Sequence, residues 1–133
     1  MLGFIVVTHG RLAAELIATA ELIVGKIGSL YAVSVAPSCS QEDARQQLEA
    51  AVKSADKGSG VLILTDLFGG TPSNLSISFL EDKRVEVVTG VNLPMMIKLP
   101  SVADNLDIDE VAKMLRAYGR ENISIAGDLL KGG

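Results

Sequence analysis

The chain has 133 residues, 48% of them hydrophobic, with a formal net charge of −4. That length suits one domain with a real core and excludes a scaffold that must be stapled by disulfides or metals. No Lys/Arg cluster interleaved with aromatics occurs, which excludes nucleic acid as the main partner.

The N-terminal apolar run is too short to span a bilayer, and no basic n-region or small-residue cleavage site accompanies it. A cytoplasmic protein is the expectation. The single cysteine, Cys39, has no disulfide partner within the chain and sits in the polar stretch PSCSQED. Aromatics are only 4%, so the core must be aliphatic and rich in alanine, as in helices packed on a parallel sheet.

Taken in order, short apolar runs alternate with amphipathic ones. Residues 2–7, LGFIVV, read as a strand covered on both faces. Leu12, Ala13, Leu16, Ile17, Ala20, Ile23, Val24 and Ile27 then fall on one helical stripe, closed by Gly25 and Gly28. YAVSVA (31–36) is a second strand. Ser40-Gln41-Glu42-Asp43 resembles a capping box that opens a helix carrying Leu48, Ala51, Val52 and Ala55.

GVLILTD (60–66) is the cleanest strand and runs into a glycine-rich turn, LFGGTP. Thr71 and Pro72 suit the N-cap and first position of a third helix with Leu75, Ile77, Phe79 and Leu80. VEVVTG (85–90) is a fourth strand. In VNLPMMIKLP, Pro94 fits the start of a short helix and Pro100 its stop, and Met95-Met96 suits a core. Asp107-Ile108-Asp109-Glu110 opens a further helix with Val111, Met114, Leu115 and Tyr118, and NISIA (122–126) has the pattern of a last, short strand. The order β-α-β-α-β-α-β-α predicts an α/β fold: an open, mostly parallel β-sheet flanked by helices on both faces, a three-layer sandwich.

Ligands of such sheets bind beyond the carboxyl ends of the strands. The first strand ends in Thr8-His9-Gly10, with the only histidine of the chain, and the third in Thr65-Asp66. If these strands are adjacent, His9 and Asp66 meet. A carboxylate facing an imidazole accepts a hydrogen bond from one ring nitrogen and leaves the other free as nucleophile or base. The helix that follows His9 turns its positive end toward the ring, disfavouring imidazolium and favouring an attached phosphoryl group.

Gly69 and Gly70 let the backbone approach closely, and Thr71 adds a hydroxyl. Singly, each feature has a plain structural reading: a hydrogen-bonded histidine, a capping aspartate, an ordinary turn. Together they describe an anion or phosphoryl site. The turn Thr8-His9-Gly10-Arg11 lacks GxGxxG and GxxxxGK[ST] spacing, which disfavours a nucleotide or flavin domain.

VVTHG, TDLFGGTPSN and VVTGVNLPM, in that order, resemble the IIA components of mannose-type (mannose/fructose/sorbose) sugar phosphotransferase systems. The resemblance implies a single IIA-type phosphotransfer domain over residues 1–133. In it His9 takes a phosphoryl group from the phosphohistidine of HPr and passes it to a IIB protein, here a separate one. Asp66 would orient the imidazole and leave Nε2 to attack. Gly10, Phe68, Gly69, Gly70 and Thr71 would shape the phosphate pocket. The resemblance further implies transfer without metal or cofactor, contact with the membrane only through a transporter complex, and a homodimer in which a C-terminal strand such as NISIA pairs with the partner's sheet. Relatives serving as regulators or as phosphodonors of dihydroxyacetone kinases carry the same motifs.

Overall fold

The structure is a computed structural model and describes every residue except Met1, Ala103 and Gly133. Four strands, β1 (Gly3–His9), β2 (Leu30–Val35), β3 (Val61–Thr65) and β4 (Val85–Thr89), form one sheet in the order β2-β1-β3-β4. Every pairing is parallel, with Val7 opposite both Val33 and Thr65. The continuous apolar runs explain this, because a strand covered on both faces has no polar side to show to water.

The described residues form six helices, α1 (Leu12–Val24), α2 (Gln41–Ala55), α3 (Thr71–Ile77), α4 (Leu93–Lys98), α5 (Ile108–Glu121) and α6 (Ala126–Gly132); the first five pack into the two layers beside the sheet, while α6 buries no residue. Phe4, Val6, Leu62 and Leu64 face one layer, built from α1, α4 and α5 through Ala13, Ala20, Met96 and Leu115. Ile5, Val7, Val61 and Ile63 face the other, where α2 packs Ala44, Leu48 and Ala55 and Leu75 of α3 joins them. The alternation of side chains along each strand is what divides one apolar run between two cores.

The helices begin where their chemistry dictates. The Ser40 side chain accepts the N–H of Asp43 at 3.0 Å, and Asp107 accepts that of Glu110 at 2.9 Å. Asn92 caps α4 through Met95 and donates its amide to the Gly119 carbonyl of α5 at 3.1 Å. Beyond α4 the chain crosses Pro100 in one further 3₁₀ turn, Leu99–Ser101, before it leaves the helical path.

Three expectations change. NISIA forms no strand in the single chain: Asn122 ends α5, residues 123–125 pair with no strand, and Ala126 begins α6. Ile123 and Ile125 are 74% and 70% exposed, with the right alternation but no strand paired to them. The α1 stripe is narrower than its spacing suggested. Ala13, Leu16, Ile17 and Ala20 pack inward, the two fully buried ones being alanines, while Leu12, Ile23 and Val24 are exposed.

Helix α3 takes Gly70, not Thr71, as its N-cap and ends at Ile77, so Phe79 and Leu80 lie beyond it. Arg84 lies in the hydrophilic loop before β4, yet its guanidinium is not simply solvated. It instead pairs with Asp56 and donates to the Gly58 carbonyl, closing the end of the sheet remote from His9.

Candidate functional site

The strand order reverses between β1 and β3. Helix α1 leaves β1 toward one layer and α3 leaves β3 toward the other, so a crevice opens between their starts. His9 is the last residue of β1 and Asp66 the first beyond β3. The two meet there, as the sequence predicts.

The Asp66 side chain is 10% exposed and that of His9 52%, so the carboxylate is covered while the ring faces solvent. Asp66 Oδ2 accepts the His9 backbone N–H at 3.0 Å and lies 2.9 Å from His9 Nδ1. Oδ1 accepts the N–H of Leu67 at 3.0 Å. Burial by itself would raise the Asp66 carboxyl, but the His9 backbone and ring, with the Leu67 N–H, outweigh it and hold the group below its ordinary value. Asp66 is therefore ionised near neutrality and can only accept. Nδ1 must then carry the proton, which puts the lone pair of the neutral ring on Nε2.

Gly70 lies against the free side of that ring. A Cβ built on it would stand 3.1 Å from His9 Cε1 and 3.2 Å from Nε2, and its φ is +86°. Only glycine combines that backbone with that proximity. Gly10 (φ +55°) follows the histidine into α1, and its N–H donates to Val35 at 2.9 Å. Gly69 completes the turn at φ +91°, and Thr71 opens α3, half-buried. Phe68 is 76% exposed and stands on the rim.

Asn92, just beyond the end of β4, spends both ends of its amide inside the fold, and Met95 and Met96 are buried as core. Cys39 is half-buried, packed with the α2 layer. Among the described residues no group of three or more His, Cys, Asp or Glu side chains could hold a metal ion.

One residue had escaped notice. Thr8 is fully buried and its Oγ1 accepts the N–H of Ala13 at 2.7 Å, while Arg11, at the N-cap of α1, makes no side-chain cap. The signal was present: His9, Gly10 and Arg11 offer no capping side chain, so an early amide of the following helix needs an acceptor from elsewhere.

A carboxylate-oriented imidazole with a free Nε2 beside a glycine turn is equipped to carry a phosphoryl group. Comparison with known proteins gives the same direction. The profile of the family described as "PTS system fructose IIA component" matches residues 3–116. The chain belongs to the mannose-type IIA family of the sugar phosphotransferase system.

It is 28% identical over 132 residues to the fructose-specific EIIA component of Bacillus subtilis, covering 98% of this chain and 90% of that protein. It is 31% identical over 124 residues to the mannose-specific EIIAB component of Escherichia coli, covering 92% of this chain but only 38% of that longer protein. Among solved structures, EIIA from Streptococcus agalactiae superposes with a TM-score of 0.85 at 27% identity, covering 96% of this chain and 98% of that one. The mannose/sorbose-specific IIA subunit from Enterococcus faecalis gives 0.82 at 31%, covering 92% of each. This IIA component thus has a phosphocarrier role in a sugar phosphotransferase system, between a phosphodonor and a IIB partner. None of its described helices is long and apolar enough to cross a membrane.

Proposed function

We propose that His9 of this IIA component is the phosphoryl carrier, with Nε2 accepting from the phosphohistidine of HPr and passing the group on to a IIB protein during sugar uptake. The observation that carries the reading is the 2.9 Å contact of His9 Nδ1 with Asp66 Oδ2. In the forward step the lone pair of Nε2 attacks phosphorus as the P–N bond to the donor imidazole breaks. The Nδ1 proton stays in its hydrogen bond to Asp66, which stabilises the charge the ring acquires. Nucleophile and leaving group are both imidazoles, so positioning rather than a metal carries the catalysis.

Gly69, Gly70 and Thr71 border the phosphoryl group and Gly10 leaves it room, while Phe68 stands at the rim that a docking protein covers. Incubation with phosphoenolpyruvate, enzyme I and HPr is expected to give an acid-labile, base-stable adduct. Its absence, or its undiminished formation in His9→Ala, overturns the reading.

Residues 1–133 act in this reading as one cytoplasmic phosphotransfer unit, and the chain as a homodimer. Support for the dimer comes from the free edge of β4. A groove of about 610 Å³ runs there, bordered by Thr89, Asn92, Arg116 and Ile123. Ile123 and, later in the chain, Ile125, Leu129 and Leu130 are exposed apolar side chains. Pairing of residues 122–126 with the partner's β4 would satisfy its unpaired backbone groups and cover those side chains.

A further inference from the structure

Three consecutive residues at the end of β1 are tied to three different elements. The Gly10 N–H donates to Val35 at the end of β2, and the His9 N–H donates to Asp66 after β3. Thr8 reaches into α1, where its buried Oγ1 accepts the Ala13 N–H at 2.7 Å. Side chains alternate along a strand, so Thr8 points to the face opposite His9 and touches neither the ring nor anything bound to it. Its influence has to travel through the backbone.

That influence is substantial because nothing local replaces it. Arg11 offers no side-chain cap to α1. Without the hydroxyl, the Ala13 amide loses its side-chain acceptor, and the first turn of α1 must shift or fray to find another. Gly10 and Arg11 are the only residues between that turn and His9. Displacement of the turn therefore moves the imidazole relative to Gly70, which lies against its Nε2 edge.

We infer that Thr8 is a positioning residue for phosphoryl transfer: its hydroxyl, by accepting the Ala13 N–H, fixes the start of α1 and thereby the placement of His9. The inference rests on the reading of His9 as the carrier. Misplacement by about 1 Å can cost up to about 100-fold in rate, so a partial shift should cost about tenfold.

Thr8→Ser and Thr8→Ala both lose the methyl and differ only in the hydroxyl. Each is phosphorylated as the full chain by HPr, enzyme I and phosphoenolpyruvate over a range of HPr concentrations. The serine variant should stay within about twofold of wild type, while the alanine variant should lose about tenfold at saturating HPr with little change in the half-saturating concentration. Amide exchange at Ala13 should quicken in the alanine variant only. If that variant does not fold, Thr8→Val keeps the volume without an equivalent acceptor and takes its place. Equal saturating rates for the variants with and without the hydroxyl, whatever their melting temperatures, would overturn the role of Thr8. A wild-type chain that takes no phosphoryl group would instead overturn the reading of His9, and this inference with it.

Discussion

A single oxygen of Asp66, Oδ2, receives both the backbone N–H of His9 at 3.0 Å and contacts its ring Nδ1 at 2.9 Å. The carboxylate thus holds the residue at its main chain and at its ring together, and a rotation of the imidazole breaks the second contact without releasing the first. Removal of Asp66 should therefore impair transfer far more than folding. Asp66→Ala is expected to remain folded and to take up phosphoryl groups roughly 10- to 100-fold more slowly, because a reacting group misplaced by about 1 Å can lose up to about 100-fold in rate. Nitrogen-15 NMR of the ring should show the loss of a dominant Nδ1–H tautomer. Wild-type rates in this variant would remove Asp66 from the mechanism.

Gly70 and Gly69 offer a paired comparison. Both have positive φ, but a Cβ on Gly70 crowds the His9 ring whereas one on Gly69 meets nothing within 4 Å. Alanine at either position should cost about 1–2 kcal/mol for the left-handed backbone. Gly70→Ala should also slow phosphorylation by an order of magnitude or more, and by clearly more than Gly69→Ala, because only its Cβ crowds the ring itself. Denaturant unfolding and initial rates, measured on both variants, separate strain from obstruction.

Asn92 lies in a motif beside the strand ends, yet its amide caps α4 and grips α5. Asn92→Ala should lower stability by about 1–2 kcal/mol through loss of the cap and the cross-helix bond. Transfer rates below the melting transition should stay near wild type. A rate defect without a stability defect would make Asn92 part of the site.

The end of the sheet remote from His9 has its own pH dependence. The Gly58 N–H beside Asp56 lowers its carboxyl more than burial raises it, and the Gly60 N–H and the Arg84 guanidinium lower it further. A depressed carboxyl stabilises the fold above its ordinary titration range, near pH 4, and loses that contribution as pH falls through and below it. Asp56→Asn should then cost about 1 kcal/mol at pH 7, a modest figure because the pair is partly exposed. The cost should shrink toward zero in denaturant titrations carried down through pH 3.

Much of this was legible in the residues alone. Unbroken apolar runs such as LGFIVV and GVLILTD specify doubly covered strands, and the placement of His9 and Asp66 at two strand ends made their meeting foreseeable. What escaped reading depended on neighbours distant in sequence or on surfaces. The tie from Thr8 to Ala13 hides in an apolar run, because a buried threonine there looks like a strand former. The pinning of Asp56 by Arg84 joins residues 28 apart. The alternation in NISIA announces a strand, but pairing requires a free edge, and periodicity carries no information about whose edge that is.

The proposed dimer makes the C-terminal segment testable by itself. Ile123→Asp with Ile125→Asp should shift sedimentation from dimer to monomer while the far-ultraviolet spectrum of the α/β body persists. A wild-type chain that sediments as a monomer at high micromolar concentration would exclude the arrangement.

The central claim is that His9 carries the phosphoryl group on Nε2, and phosphorus–nitrogen NMR of the phosphorylated chain tests it most directly. After incubation with phosphoenolpyruvate, enzyme I and HPr, the phosphorus signal should couple to Nε2 of His9, with Nδ1 still protonated against Asp66. A phosphoryl group on Nδ1, on another residue, or on none would contradict it.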